Sequence, residues 1–291
     1  MMTGLVLGGG GANGAYEAGA CLALAEAGWS FDAISGVSVG SVGAYGLAQY
    51  PKSAFLAAAK NAVTMWLSLT GDHDVYRYRQ PKYLAGLVAP SLCTTDPLEA
   101  FLRAHLDPNR IRVSGVQVRV SAVDLLTGDS VLFTEHDDPV VAAMASASFP
   151  LAFPPVDDGR GHVLTDGGVR DVIPLSLLLK LGCSKLAIVA TQPERVPVVT
   201  WKDVNTVLDQ AKRDFQLIMN EIEKNDLAML EQINAWIAQG FALPGKRHID
   251  TVVIRPKTSL GDSLSFDAAK NDRLIEQGRE DAKEALALCT P

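Results

Sequence analysis

The first fifty residues alternate strand-like and helix-like segments, and this order constrains the fold more than any other feature of the sequence. An apolar segment, residues 4–7, leads through a run of glycines into an alanine-rich segment, residues 15–27. A second apolar segment, residues 31–35, leads into a stretch of small residues, 41–48. This βαβα order is typical of layered α/β folds. Further apolar segments, nearly continuous as in strands covered on both faces, predict more strands of a central sheet: residues 116–123, 131–134, 185–190 and 251–254.

The size of the chain is sufficient for one large core. Of its 291 residues 48% are hydrophobic, so the fold needs no metal or disulfide to stand. We predict a single domain over residues 1–291, with three α/β/α layers and a mainly parallel central sheet. Two regions interrupt the alternation: a cap-like region at about residues 51–97, and a helical insertion at about residues 200–240. Apolar residues at helical spacing predict one kinked helix or two in the insertion, and a last helix over residues 267–288.

Composition excludes several classes of function. The chain has 33 acidic and 26 basic residues, a formal net charge of −7 and no long basic run, which argues against a nucleic-acid partner. Four widely spaced cysteines without a CxxC pair predict neither a zinc site nor a disulfide framework. The apolar N-terminal segment lacks a basic region before it, so we expect no signal peptide. No segment reaches the roughly 20 apolar residues of a membrane-spanning helix. We therefore expect a cytoplasmic protein without a metal or cofactor.

The glycine run at residues 8–14 lies between a predicted strand and a predicted helix, where backbone N–H groups can converge on an anion. Gly9, Gly11 and Gly14 fit the GxGxxG pattern of dinucleotide sites, but the acidic residue expected at the end of the second strand is missing, since Asp32 stands at its start. A phosphate-binding P-loop would need a lysine after the last glycine, and none is present. An oxyanion hole for acyl transfer and a tight turn without a ligand remain.

The second motif is Gly36-Val37-Ser38-Val39-Gly40, a GxSxG sequence that follows a predicted strand and opens a predicted helix. A serine on such a sharp turn points its hydroxyl outward, and the glycines on either side, Gly36 and Gly40, remove side chains that would collide with the strand and the helix. The helix N-terminus favours an alkoxide at this serine. The pattern predicts a nucleophilic Ser38.

A nucleophilic serine needs a general base, and no histidine is a convincing candidate. His248, the histidine in the chain order of α/β-hydrolases, follows two basic residues and is interpreted as a surface residue. His162 lies four strand residues, roughly 13 Å, from the nearest candidate acid. That acid is Asp166, which ends an apolar stretch and is followed by Gly167 and Gly168. On its own, Asp-Gly-Gly is more often a turn.

Taken together, the glycine loop, the GxSxG turn and the later Asp-Gly-Gly resemble the patatin-like phospholipase family over about residues 4–193. Residues 145–150 and 153–156 are also similar to that family. The resemblance implies a Ser–Asp dyad without histidine, in which Ser38 is the nucleophile and Asp166 the general base. It further implies an oxyanion hole and a set of motif glycines. The oxyanion hole would be the N–H groups of Gly9, Gly10 and Gly11, and the motif glycines are Gly14, Gly36, Gly40, Gly167 and Gly168.

The implied activity is hydrolysis of carboxylic ester bonds in lipids or fatty-acyl substrates, through an acyl-enzyme on Ser38. Acyl transfer by the same dyad and a non-catalytic lipid-binding role stay open. The sequence departs from the family at Asn13, where Arg or Lys is usual, and at Val172, where Asn is common. The aromatic and basic run at residues 75–83, with Trp66 nearby, could contact a membrane surface transiently, although a plain loop or edge strand is the favoured interpretation.

Overall fold

The computed structural model of the protein describes residues 1–80 and 88–288. Every strand expected from the sequence is present, together with shorter ones. The strands are β1 (Thr3–Leu7), β2 (Ala33–Gly36), β3 (Arg77–Tyr78), β4 (Cys93–Thr94), β5 (Gln117–Asp124), β6 (Ser130–Thr134), β7 (Val156–Asp157), β8 (Val163–Asp166), β9 (Lys185–Val189) and β10 (Asp250–Ile254).

The helices also follow the predicted order. They are α1 (Gly14–Glu26), α2 (Val39–Leu47), α3 (Phe55–Ser68), α4 (Asp96–His105), α5 (Pro108–Val113), α6 (Pro139–Ser146), α7 (Leu175–Leu181), α8 (Val207–Ala238) and α9 (Ala268–Leu288). The predicted helical insertion is therefore a single continuous helix, α8, and not two. In the part of the chain that the structure describes, every helix is too short or too polar to cross a bilayer.

The central sheet has the strand order β10-β9-β1-β2-β5-β8-β7, and β6 also pairs with β5. The pairs from β10 to β5 are parallel. Helix α1 connects β1 to β2, as parallel neighbours require. Strands β6, β7 and β8 add antiparallel pairs. The sheet is therefore parallel in the half that contains the first strands and antiparallel beyond β5.

Helices cover both faces of this sheet. Leu5 and Leu7 of β1 belong to a core cluster with residues of α1, α2, α3 and α9. Val6, which points to the other face, belongs to a second cluster with Leu178 of α7 and Leu227 of α8. The later part of α8 therefore lies on this second face of the sheet. The three-layer α/β/α architecture is confirmed.

Two strands share one edge of β5, and this arrangement positions the candidate site. Strand β2 pairs with residues 117–120 of β5 in parallel, and β8 pairs with residues 122–124 in antiparallel orientation. Strand β6 pairs with residues 119–123 and overlaps both, so it occupies the opposite edge. Consequently β2 and β8 run towards each other, and their carboxyl ends meet across Ser121. The residues that follow β2 lie beside the end of β8.

The region between residues 51 and 97 contains α3 and a small separate sheet. Its aromatic and basic run forms an edge strand at Arg77–Tyr78, paired with β4, as the favoured interpretation expected. Val75 and Tyr76 are buried, so these two side chains are not available to a membrane. Residues 81–83 of the run lie outside the described residues.

Candidate active site

Ser38 occupies the turn between β2 and α2. Its backbone φ is 54°, in the left-handed region that residues with a Cβ rarely adopt. The side chain is buried but borders a cavity. A Cβ at Gly36 would lie 2.1 Å from the carbonyl oxygen of Gly40. A Cβ at Gly40 would lie 2.5 Å from the carbonyl oxygen of Leu7. Both glycines of the GxSxG motif are therefore required by close backbone contacts.

Hydrogen bonds from other serines hold this strained turn. The N–H of Ser38 donates to Oγ of Ser146 at 2.9 Å, and that hydroxyl donates to the carbonyl oxygen of Ser121 at 2.8 Å. The hydroxyl of Ser41 donates to the Ser38 carbonyl oxygen at 2.5 Å. Because Ser121 lies in β5 between the ends of β2 and β8, this chain of bonds fixes the nucleophile turn to the sheet. Such over-determined surroundings are what allow a strained residue to persist.

Asp166 is the last residue of β8 and is 1% exposed. Its N–H donates to the carbonyl oxygen of Ser148 at 3.1 Å. Its Oδ1 accepts a hydrogen bond from the N–H of Gly168 at 2.7 Å. A Cβ at Gly167 would lie 2.3 Å from the carbonyl oxygen of Ser121, so this turn can approach β5 only with glycine. The carboxylate is thus fixed at the point where β8 meets β2.

The environment makes Asp166 an unusually basic carboxylate. Burial raises the pKa of Asp166 to about 7, and hydrogen bonding from the Ser38 hydroxyl and the Gly168 N–H offsets this only in part. Its buried Oδ2 has no hydrogen-bond partner among the described residues. Contacts between nucleophile and base are often incomplete in unliganded sites and tighten with substrate. A carboxylate with this pKa can accept a serine proton near neutral pH.

The glycine loop passes directly beside the nucleophile, and its amides fall into two groups. The N–H of Gly9 donates to the carbonyl oxygen of Val172 at 3.2 Å, so it is not available to an oxyanion, contrary to expectation. Within the residues that the structure describes, the N–H groups of Gly10 and Gly11 have no hydrogen-bond partner. Both glycines border the cavity that contains Ser38. The donors left for an oxyanion are therefore those of Gly10 and Gly11.

Contacts on several sides fix the conformation of this loop. The hydroxyl of Thr191 donates to the carbonyl oxygen of Gly9. Gly11 has a φ of 55°, and a Cβ there would lie 2.2 Å from the carbonyl oxygen of Ser263. A Cβ at Gly14 would lie 2.6 Å from side-chain atoms of α2 and α3. The motif glycines therefore allow the loop, α1 and α2 to pack tightly around the nucleophile.

Asn13 stands where the resemblance leads us to expect a basic residue. It is buried and borders the cavity, and its Oδ1 has no hydrogen-bond partner among the described residues. One turn further along α1, burial raises the pKa of Glu17 well above its ordinary value. Asn13 therefore supplies a neutral amide instead of a cation at this end of the cavity. The other departure, Val172, retains its loop contact because the contact uses its backbone carbonyl.

A cavity of about 380 Å³ opens beside Ser38. This volume lies within the range of about 300–1,000 Å³ that is usual for small-molecule sites. One side is formed by α3 and α4, and another by the first half of α8. Its apolar lining includes Val42, Met65, Trp66, Leu69, Phe101, Phe149, Phe153 and Met219. The cavity suits an apolar chain whose reacting group lies at Ser38.

The histidines weighed as alternative bases lie elsewhere. His248 is half-exposed and lies 3.3 Å from the carboxylate of Asp250, which agrees with its interpretation as a surface residue. His162 pairs with Asp158 at 2.8 Å. Neither histidine borders the cavity at Ser38. Asp166 is therefore the candidate base that the structure places beside the serine.

The position of Asp32 argues against the glycine loop as a dinucleotide-binding site. Its carboxylate accepts a hydrogen bond from the N–H of Thr3 at 2.9 Å and pairs with Lys52 at 2.5 Å. These contacts lie at the amino ends of β1 and β2, away from the glycine loop. The carboxyl end of β2 carries Gly36 and the serine turn instead.

Candidate metal ligands and cysteines can be located within residues 1–80 and 88–288. In those ranges no group of three or more His, Cys, Asp or Glu side chains could hold a metal ion. Cys21, Cys93 and Cys183 are buried and form no disulfide. Cys289 lies outside the described residues.

Sequence reasoning did not assign a role to the residues that position the dyad. Ser146 is 108 residues from the turn that it holds, and Ser148 orients Asp166 through its backbone carbonyl. Both serines lie in residues 145–150, which resemble the family. This resemblance was the indication in the sequence that the segment contributes to the site. Thr191, which holds the glycine loop, follows β9 without a motif of its own.

The chain also matches the model of a known protein family. The model of the patatin-like phospholipase family matches residues 5–179. The match covers more than half of the chain, so the protein belongs to the patatin-like phospholipase family. A search of curated protein sequences finds no match.

Solved structures resemble the chain over nearly its whole length. VipD from Legionella pneumophila is 14% identical with a TM-score of 0.51, and the alignment covers 99% of this chain and 67% of VipD. The type III effector ExoU is 16% identical with a TM-score of 0.42, and the alignment covers 98% of this chain and 52% of ExoU. The chain thus spans about half the length of ExoU. At this identity, the likeness to VipD shows a shared fold.

Proposed function

We propose that this protein hydrolyses carboxylic ester bonds of lipids or other fatty-acyl substrates, with Ser38 as nucleophile and Asp166 as general base. The observation that carries this proposal is the buried Asp166 carboxylate beside the strained Ser38, with a pKa raised to about 7 by burial. Membership of the patatin-like phospholipase family supports the same reaction class. The organisation as a single domain and the cytoplasmic location remain predictions from the sequence.

The first half of the proposed reaction forms an acyl-enzyme. As Oγ of Ser38 attacks the ester carbonyl carbon, its proton passes to the carboxylate of Asp166. The carbonyl oxygen becomes an anion and accepts hydrogen bonds from the N–H groups of Gly10 and Gly11. The intermediate then breaks its bond to the alcohol, which leaves with the proton from Asp166. Fixed backbone donors cost no reorganisation at this step.

The second half releases the acid and restores the serine. A water molecule gives a proton to Asp166 while its oxygen attacks the acyl carbon. The new tetrahedral anion occupies the same two amides, of Gly10 and Gly11. Its collapse breaks the bond to Oγ of Ser38, which takes the proton back from Asp166. The products are a carboxylic acid and the free enzyme.

Transient contact with a lipid surface is part of the proposal. Apolar side chains before and at the start of α8 are largely solvent-exposed: Val198 is 98%, Trp201 73% and Val207 85% exposed. Their neighbours Val199 and Val204 border the catalytic cavity. Tryptophan and aliphatic residues of this kind favour the membrane interface. A substrate leaving a bilayer would thus enter the cavity beside its contact surface.

Variant kinetics on a water-soluble ester test the assignment of the dyad. We expect Ser38→Ala to abolish the turnover of p-nitrophenyl butyrate and Asp166→Asn to lower kcat/KM by about 10²- to 10⁴-fold. His248→Ala is the matched control and should retain full activity. Unchanged turnover in both Ser38→Ala and Asp166→Asn would overturn the proposal. Acylated acceptors in place of free acid among the products would indicate acyl transfer by the same dyad.

A further inference from the structure

A methionine of α8, Met219, packs against both glycine turns of the reaction centre. A Cβ at Gly9 would lie 3.7 Å from the Cε methyl of Met219, and a Cβ at Gly168 would lie 3.3 Å from the same methyl. Gly9 adjoins the nucleophile, because a Cβ there would also lie 3.3 Å from Cβ of Ser38. Gly168 donates its N–H to the carboxylate of Asp166. One methyl group therefore bridges the turns that carry the proposed nucleophile and base.

Met219 lies between the Asp166 carboxyl and the catalytic cavity. Among the described residues, those that border the cavity include Ser38 and Met219 but not Asp166. A Cβ at Gly168 would lie 3.0 Å from Oδ1 of Asp166, so the carboxyl and the methionine methyl approach this glycine from the same side. Asp166 is 1% exposed, whereas Met219 is only partly buried. The thioether therefore separates the carboxyl from solvent that enters the cavity.

Contacts on either side of Met219 fix this part of α8. The next residue, Asn220, is buried, and its Nδ2 donates to the carbonyl oxygen of Pro193 at 2.9 Å. About one turn earlier, the ring of Phe215 lies 5.8 Å from the ring of Phe149. The position of the methionine is therefore determined by the fold and does not depend on a bound substrate.

Charged neighbours do not account for the basicity of Asp166. Burial raises its pKa, the hydrogen bonds of Ser38 and Gly168 lower it, and no charged side chain of the described residues contributes. Glu223, one turn after Met219, pairs with Arg255 instead. The charged residues on the surrounding elements are Glu17 on α1, Asp124 on β5, Asp171 after β8, and Asp209, Lys212, Arg213, Glu223 and Asp226 on α8. Access of water is therefore the property of these surroundings that acts on the carboxyl.

We propose that Met219 is a positioning residue that acts through Asp166: its thioether keeps water from the carboxyl, so that α8 sets how strong a base this carboxyl is. The inference rests on the proposed function, since it concerns the same base. An apolar cover withdraws hydration from a carboxylate and so disfavours its charged form. Helix α8 lies outside residues 5–179, which match the family model. The cover therefore comes from beyond the matched part of the chain.

The pH profile of a soluble ester distinguishes this role from packing alone. We expect Met219→Ala to lower the midpoint of the acidic limb of kcat/KM for p-nitrophenyl butyrate from about 7 to about 6 or below, because water then reaches the carboxyl. At pH 5 this variant should retain about a tenth of its own plateau, where the unsubstituted protein retains about a hundredth. Met219→Gln keeps the length but presents a polar amide, and should also lower the midpoint. Met219→Leu stays apolar and of similar size, and should keep it at about 7.

Two other methionines provide matched controls. Met65 borders the catalytic cavity from α3, so Met65→Ala should change KM while the midpoint stays at about 7. Met229 is 66% exposed on a later turn of α8, so Met229→Ala should change neither KM nor the midpoint. A shifted midpoint is therefore expected only where the cover of Asp166 is altered.

The outcomes distinguish this inference from the proposed function. A midpoint that stays at about 7 in both Met219→Ala and Met219→Gln would overturn the inference, as would an equal shift in Met65→Ala. If Met219→Ala does not fold, Met219→Gln and Met219→Leu decide: a lower midpoint in the glutamine variant alone supports the inference, and equal midpoints overturn it. A flat profile, or turnover that does not depend on Ser38, in the unsubstituted protein would instead contradict the proposed function.

Discussion

The reaction centre and the walls of the cavity around it are built in different ways. At the centre, the backbone dictates residue type: a Cβ at Gly36, Gly40 or Gly167 would lie within 2.5 Å of a carbonyl oxygen. The walls include side chains from α3, α4 and α8 and from residues 149–153. Apolar walls tolerate replacements of similar size. Changes at the centre should therefore remove the chemistry or destabilise the fold, whereas changes in the walls should alter which substrate is accepted.

The largest effect is expected for the stability of Asp166→Asn. Because the folded pKa of Asp166 is about 7, well above its ordinary value, the folded state binds this proton more tightly than the unfolded state. The stability of the unsubstituted protein should fall as pH rises from about 4 to about 7, by up to about 4 kcal/mol. Asparagine carries no charge, so the variant should be more stable than the unsubstituted protein at pH 8.

Urea unfolding of both proteins at pH 4, 6 and 8 measures this difference. The comparison isolates Asp166, because other buried acids with a raised pKa, such as Glu223 at about 7 and Asp171 at about 6, are present in both proteins. Equal stabilities at pH 8 would show that burial imposes no such cost on the carboxylate.

The second effect concerns the pH dependence of catalysis. The proposed base must be deprotonated in the free enzyme, so kcat/KM should rise with pH, level off above the pKa of Asp166 at about 7, and be about a hundredfold below its plateau at pH 5. Hydrolysis of a soluble ester from pH 5 to 9, corrected for spontaneous hydrolysis, gives the profile. A flat profile between pH 5 and 9 would exclude Asp166 as a base with this pKa.

The third effect compares two glycines of the same helix, α2. Gly40→Ala places a Cβ 2.5 Å from backbone oxygens and should destabilise the fold by about 1–3 kcal/mol or more, with loss of activity. Gly46→Ala meets no atom within 4 Å and should stabilise the helix by about 0.5–1 kcal/mol. Thermal unfolding of the two variants measures the expected loss of stability in the first and the expected gain in the second. Equal changes in thermal stability for Gly40→Ala and Gly46→Ala would contradict the view that close backbone contacts require glycine at position 40.

The fourth effect is expected at Ser146, which holds the nucleophile turn. Ser146→Ala leaves the buried N–H of Ser38 without its partner and should cost about 1–3 kcal/mol of stability. We expect kcat to fall while KM for a soluble ester changes little, since the cavity walls are untouched. The exposed Ser53→Ala is a control. Full kcat in Ser146→Ala would show that this hydrogen bond does not position Ser38.

The smallest effect is expected at the rim of the cavity. Trp201→Ser removes an exposed apolar side chain and should weaken binding to phosphatidylcholine vesicles by about three- to tenfold, since less apolar area enters the interface. Sedimentation with vesicles measures binding, and soluble-ester turnover should stay constant. Equal vesicle binding by the variant and the unsubstituted protein would remove Trp201 from the contact surface.

The same contrast explains what the sequence could and could not predict. Ser38, Asp166 and their glycines carry local signals, because short backbone contacts restrict the residue type at fixed spacing. The strands of the sheet could also be predicted from the sequence, since strands covered on both faces need nearly continuous apolar residues. The sequence therefore predicted the fold class. The assignment of Ser38 and Asp166 as a dyad stays a prediction.

Features that depend on contacts between residues far apart in the sequence could not be predicted in this way. The role of Ser146 requires knowing that α6 lies against the turn of Ser38. The hydrogen bond from the Gly9 amide to Val172 depends on the path of the chain after β8, so the sequence did not indicate which amides of the loop are already paired within the fold. Local periodicity contains none of this information.

Fluorophosphonate labelling followed by peptide mass mapping tests the Ser38–Asp166 dyad most directly. We expect one label per chain, located on Ser38, with a labelling rate that rises with pH through about 7, the pKa of Asp166. Labelling should disappear in Ser38→Ala and become much slower in Asp166→Asn, while His248→Ala should label at the normal rate. A label on another residue, or ester turnover that persists in Ser38→Ala, would contradict the dyad.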